Sequence, residues 1–228
     1  MPRTVLVVSP HPDDEILGCG ATLLMLRDAG WRVVNLACSL GREAVRARRR
    51  AELEAALRVV RFDGLVADPA GPLVEAVVSA AVGVGAELVV SPHPADGHPA
   101  HEAAGRAVSA AGADLPGCVW WAWGLWADLR APNLYVPWGR DRLEELLAAL
   151  ACHAGELARN HYDDLLPARG RVAAILGSER VFGYGAPAAS ALPYADLLTE
   201  SRFENGAWRP GPARLADPGR WSPDGGGA

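Results

Sequence analysis

An α/β fold, a single domain with a mostly parallel central sheet flanked by helices, is what the sequence predicts, and three observations carry the prediction. Short apolar runs rich in Val and Leu alternate with longer stretches of helical composition, the pattern of strands joined by crossover helices. Two of those runs end in turns loaded with His and Asp. Both turns open onto helical patterns, which puts their side chains at the carboxyl edge of a sheet, where open α/β folds hold ligands. Half of the 228 residues are hydrophobic, enough for one sizeable core without a second domain.

Taken in order, residues 4–8 read as a buried strand, and residues 10–15, Pro-His-Pro-Asp-Asp-Glu, as the turn that ends it. Residues 16–26 follow with a helical pattern. Gly18 and Gly20 invite a dinucleotide-binding reading, but Leu23 stands where the third glycine of that fingerprint belongs. Asp13, Asp14 and Glu15 would also repel a pyrophosphate at the helix start, so the glycines are read as allowing close helix-to-sheet packing. Residues 31–38 are a second strand and residues 62–66 a third. Between them residues 42–60 are helical, with Arg42, Arg46, Arg49 and Arg50 along one face, a stripe that reads mainly as solvated surface.

A further apolar run at residues 87–90 leads into the second His-rich turn, and residues 102–111 form a helix of small residues. Residues 119–126, Val-Trp-Trp-Ala-Trp-Gly-Leu-Trp, read as a strand with tryptophans on both faces. Core packing is the default for these rings, and one beside a pocket could stack on a sugar. Residues 141–157 are a helix with an apolar face, in which His153 packs or caps. His161 and Tyr162 lie in a polar stretch without an assignment. From residue 187 the chain is rich in Pro, Ala and Gly; residues 1–221 form the domain, and residues 222–228 read as a disordered tail.

Composition removes several classes of function. The formal net charge is −5, which offers no basic footprint for nucleic acid. All 22 basic residues are arginine, so lysine Schiff bases, a pyridoxal-phosphate lysine and the lysine of a P-loop are absent. Cys19, Cys38, Cys118 and Cys152 are scattered without a Cys-x-x-Cys pair, and they read as small buried hydrophobes rather than thiolate ligands or redox pairs. No run has the length of a bilayer span or the pattern of a signal peptide, so a cytoplasmic protein is expected.

The chemistry sits in the two turns. Pro12 keeps His11 on the extended side of the first turn, while Asp13 and Asp14 fall where the next helix begins. His11 and Asp14 can then converge on one point with Asp13 beside it, a pairing suited to Zn²⁺. Alone, such a motif reads more readily as a capped helix beside a surface histidine. The second turn decides the matter, because three of the six histidines, His93, His98 and His101, fall within residues 93–101 together with Asp96. If the two strands are neighbours in a parallel sheet, the two turns lie side by side.

These residues resemble the PIG-L or LmbE-like zinc-dependent N-deacetylases, which remove acetyl groups from N-acetylglucosamine-type sugars. The family's His-Pro-Asp-Asp-Glu stands here as residues 11–15, and its His-Pro-Asp-His as His98-Pro99-Ala100-His101. The resemblance implies a Rossmann-like sandwich of LmbE type in which His11, Asp14 and His101 hold one Zn²⁺ per chain, Asp13 is the general base, and His98 assists at the substrate oxygen or leaving nitrogen. Ser39-Leu40-Gly41 looks like a family loop. Arg49, with Glu52 and Leu53, looks like the Arg-x-x-Glu-Leu helix whose arginine faces substrate in some relatives. The likeness runs to about Val108, and residues 150–153 and 200–208 follow the family only loosely.

Ala100 departs from the pattern, standing where relatives carry an aspartate that supports the neighbouring histidine. Asp96, counted with Arg49 on the substrate side, is the candidate to take over support of His98; on that reading Asp96→Asn damages turnover and leaves the metal in place. The expected substrate is an N-acetylated amino-sugar small molecule: a glycoconjugate, a thiol-cofactor precursor or an antibiotic intermediate. Two rivals stand beside it. Another metal hydrolase, such as a phosphoesterase, would tend to use two metals and more carboxylates. A non-catalytic metal or sugar-binding module would retain the ligands without turnover.

Overall fold

In the first strand, β1 (Thr4–Ser9), alternate side chains feed two different cores. Val5 and Val7 join one apolar cluster while Leu6 and Val8 join another, which is the period-2 alternation of a strand covered on both faces. The structure is a computed structural model describing residues 2–217. After β1 come α1 (Asp14–Leu17), α2 (Gly20–Asp28), β2 (Arg32–Ala37), α3 (Glu43–Val60), β3 (Asp63–Val66), α4 (Leu73–Val84), β4 (Leu88–Pro92) and α5 (Pro99–Ala110). A short 3-10 turn (Ala111–Asp114) leads to β5 (Val119–Trp123), β6 (Leu134–Trp138), α6 (Arg140–Leu150), α7 (Ala154–Leu157), α8 (Tyr162–Phe182), β7 (Tyr194–Glu204), β8 (Ala207–Pro210) and β9 (Arg214–Leu215).

The sheet runs β3-β2-β1-β4-β5-β7-β6-β9, with β8 paired to β7. From β3 to β5 every neighbour is parallel, whereas β7 runs antiparallel to both β5 and β6. The chain winds outward from β1 to β3 and then returns to the other side of β1, where Val5 pairs with Leu88 and Val7 with Val90. The order therefore reverses between β1 and β4, and their carboxyl ends flank the crevice that such a switch point creates. On one face α2, α3 and α6 bury Leu23, Leu57 and Leu146 against the sheet; on the other, α4 and α5 bury Val77, Ala81, Ala104 and Val108. Each fully buried Leu or Val contributes about 1.5–3 kcal/mol of transfer free energy.

The α/β architecture and the neighbouring β1 and β4 agree with the sequence reading, and several boundaries differ. The helix expected over residues 16–26 is two, broken at Gly18 and Cys19. A Cβ on Gly18 would lie 2.5 Å from the Trp123 ring, so the chain turns there against a large buried side chain. The helix expected over residues 141–157 is likewise α6 and α7, with His153 at the break. The strand expected over residues 119–126 stops at Trp123. The apolar residues of α8 do not gather on one face, and Val172, Ile175 and Leu176 are exposed; neither this helix nor β6 and β7 shows its period in the sequence. The tail expected at residues 222–228 lies outside the described residues.

Candidate metal centre

Residues 10–13, directly after β1, bend so sharply that Asp13 takes φ 110°, a left-handed conformation that costs a non-glycine residue energy and concentrates at functional sites. The bend is held from inside. Asp13 N donates to Glu15 Oε2 at 3.0 Å, and Glu15 Oε1 meets His153 Nε2 at 3.0 Å, with both of those side chains fully buried. Asp14 turns the other way: its Oδ2 accepts from His11 N at 2.8 Å and lies 3.2 Å from His11 Nδ1.

The turn after β4 supplies the facing side. His98 is the N-cap of α5 and Pro99 its first residue, the position where a missing N–H costs nothing. His101 Nε2 then lies 3.3 Å from Asp14 Oδ1, while its Nδ1 lies 2.8 Å from Asp96 Oδ2. That pair stands at ion-pair distance without the alignment of a hydrogen bond. The carboxylate nonetheless fixes which ring nitrogen faces the cleft, the arrangement by which metal-ligating imidazoles are oriented. One nitrogen each from His11 and His101 and one oxygen from Asp14 lie within 4.8 Å of one another. Two imidazoles and a carboxylate so spaced fit a tetrahedral Zn²⁺ with an open position.

The electrostatics separate the four polar groups. Burial raises the Asp13 pKa well above the ordinary carboxylate range, and the negative charges of Asp14 and Glu15 add to the effect. Asp14 is equally buried, which alone would raise it, yet the contacts from His101 and His11 pull it below that range. Burial lowers His101, but its contacts with Asp14 and Asp96 outweigh this and bring it to about 9. His98 falls below its ordinary value through burial and the neighbouring charges of His101 and His11. Without a metal, His101 thus holds a proton between Asp14 and Asp96, and an ion bound by His11, Asp14 and His101 would displace it.

All seven residues singled out from the sequence fall at or beside this crevice. His11, Asp13, Asp14, Arg49, His98 and His101 line one cleft of about 690 Å3, and Asp96 lies buried behind His101. One placement differs from expectation. Asp96 contacts His101 rather than His98, and its other oxygen accepts from Leu125 N and Trp126 N, so it stands behind the cleft and not on the substrate side. Arg49 borders the cleft with Nη2 2.7 Å from Glu156 Oε1. The cleft also takes in Trp126, Glu156, Arg159, Asn160 and Tyr162, which sequence reasoning did not assign. They lie on loops and helix starts far along the chain from either turn, and only Tyr162 stood in a stretch marked as unexplained. His161, Asp163 and Asp164 form a second group with metal-ligand spacing but are exposed. A smaller hollow of about 320 Å3 beyond Leu17 holds none of the candidate site residues.

Residues 6–112, which carry both turns, match the family model described as PIG-L, GlcNAc-PI de-N-acetylase. No curated protein sequence matches the chain. Among solved structures, a conserved protein from Thermus thermophilus is 20% identical with a TM-score of 0.67, covering 87% of this chain and 94% of its own. A 4-carboxy-2-hydroxymuconate hydratase from Pseudomonas putida is 18% identical with a TM-score of 0.63, covering 87% and 95%. The N,N'-diacetylchitobiose deacetylase from Pyrococcus horikoshii is 18% identical with a TM-score of 0.60, covering 92% and 84%. At these identities the likeness is one of fold.

Proposed function

We propose, from the match of residues 6–112 to the PIG-L model, that this chain is a zinc-dependent hydrolase that removes the acetyl group from the N-acetyl amine of an amino-sugar-containing small molecule. The observation that carries the reading is the convergence of His11, Asp14 and His101 at a cleft that also receives Asp13 and His98. The name of the Pyrococcus deacetylase lends support.

An amide is a weak electrophile with a poor leaving group, so its hydrolysis needs an activated water, a stabilised oxyanion and a proton for the amine. Zinc, when bound, polarises the carbonyl and lowers the pKa of a coordinated water to about 7. Asp13, which lines the cleft beside Asp14, accepts the proton of the attacking water. His98 turns Nδ1 to the backbone of α5, which leaves Nε2 to donate toward the carbonyl oxygen or the leaving nitrogen. Arg49, steadied by Glu156, borders the space for the sugar.

The test is a panel of N-acetylated sugars and glycosides assayed for acetate with the zinc-loaded protein. Release of acetate, one metal per chain and loss of turnover on chelation are expected. Stoichiometric metal with no acetate from any N-acetyl amine would sink the reading. A second reading, addition of water to a conjugated carboxylate, is favoured by the shared fold of the Pseudomonas hydratase; an absorbance assay on such an acid separates the two.

A further inference from the structure

His98 differs from the other two imidazoles of the site in what holds it. Asp14 contacts both His11 and His101, and Asp96 contacts His101 as well. Among the described residues no carboxylate is hydrogen-bonded or ion-paired to His98. Its Nδ1 accepts from Ala100 N at 3.3 Å, and three rings stand against it. Trp126 stacks on it with centroids 5.5 Å apart and planes at 28°, while His11 and His101 meet it edge-on at 5.3 and 4.9 Å.

Trp126 is unusual among the tryptophans of the described residues. Trp31, Trp120, Trp121, Trp123 and Trp138 are buried in the core, whereas Trp126 is 56% exposed. A ring left in water at the rim of a polar cleft contributes little to the core. Its backbone, by contrast, is clamped from two sides. Leu125 N and Trp126 N donate to Asp96 Oδ1 at 2.6 and 3.3 Å, and Arg169 donates to the carbonyls of Gly124 and Leu125 at 2.6 and 2.8 Å. The clamp fixes where the indole stands, and one indole face lies on His98 rather than open to a ligand.

We propose that Trp126 is the positioning residue for His98. The stack sets the imidazole plane, and the Ala100 N–H keeps Nδ1 an acceptor, so that the neutral ring carries its proton on Nε2, toward the cleft. Elsewhere a carboxylate on the ring does this work; here an aromatic face and a backbone amide share it. Asp96 then governs both imidazoles of α5, His101 directly and His98 through the loop it anchors. This inference rests on the role given to His98 in the proposed function.

Two experiments test it. In zinc-loaded Trp126→Ala, kcat for an N-acetylated sugar falls about tenfold with KM within about twofold and metal content unchanged, since misplacing a catalytic group costs turnover rather than binding. Trp126→Phe recovers most of the loss, and Ala100→Asp in the Trp126→Ala background restores part of it. A raised KM with unchanged kcat makes Trp126 a substrate contact and overturns the proposal, as do wild-type kinetics. The second experiment needs no turnover: a long-range 1H–15N spectrum of the imidazole rings shows one His98 tautomer in the wild type and a mixture in Trp126→Ala. An unchanged His98 signal overturns the proposal. Absence of acetate release with a changed His98 signal instead strikes the deacetylase reading and upholds the positioning role.

Discussion

The turn after β1 and the turn after β4 solve opposite problems with the same device. The first sets two carboxylates side by side and drives their proton affinities apart, Asp13 upward and Asp14 downward. The second sets two imidazoles one helical turn apart and separates them too, His101 upward to about 9 and His98 downward. In each turn the member that faces the other turn through close contacts becomes the charge-binding group. On the proposed function, the member left without such a partner is the one that moves a proton. Identical side chains acquire different work from their surroundings, the pattern by which acid, base and ligand roles are divided in active sites.

The most severe way to break this comparison is to remove a group that joins the two turns. His101→Ala takes away the imidazole that contacts both Asp14 and Asp96, so metal bound per chain should fall to the background of a chelated control and activity should vanish with it. Next in size is Asp13→Asn. Asparagine tolerates the left-handed backbone that Asp13 adopts and keeps its shape, so metal content should hold. Turnover should fall by about 10²–10⁴-fold, the usual contribution of a positioned base. Equal metal loss in both variants would mean that the two carboxylates are not divided in role.

Asp96→Asn sharpens the same comparison at smaller amplitude. The carboxylate sits on His101, so the substitution should first weaken zinc binding, by about 10–100-fold as for other groups that orient metal ligands. A chelator-competition titration measures it. This reverses the expectation drawn from sequence, in which Asp96 served His98 and left the metal untouched. Wild-type zinc affinity in Asp96→Asn would restore that expectation.

The reversal shows what a sequence carries and what it does not. The strands that end at Ser9 and Pro92, and the ionisable turns after them, were legible because the chemistry is local: ionisable residues follow an apolar run within a few positions. The grouping of His11 and Asp14 with His101 came from the family resemblance. Asp96 was legible as a member of the site but not in its partner, because the side of a turn on which a carboxylate lands depends on the loop opposite, here Leu125 and Trp126. Glu156 and the Glu15–His153 pair could not be read at all, since each contact spans about a hundred residues or more of chain. The helix α8 hid for another reason. Its apolar residues serve the sheet on one side and stand exposed on the other, so no single stripe marks it.

The smallest expected effect concerns how closely α5 approaches the turn it follows. A Cβ on Gly105 would lie 2.6 Å from Pro92 O, 2.7 Å from Pro94 N and 2.9 Å from the carbonyl carbon of His93. All three are backbone atoms, so no side chain can rotate away and the helix itself must shift. Gly105 stands one turn beyond His101, and a shifted α5 carries that ligand with it. Gly105→Ala should therefore cost about 1–3 kcal/mol by overpacking, lowering Tm by roughly 2–10 °C, and loosen zinc as well. Gly83 in α4 offers the control: a Cβ there meets nothing within 4 Å, so Gly83→Ala should stabilise by about 0.5–1 kcal/mol through helix propensity and leave zinc affinity unchanged. Opposite signs in melting, with the metal following only Gly105, would locate the constraint in the packing of α5 on the β4 turn; a Gly105→Ala variant that melted later than wild type would remove it.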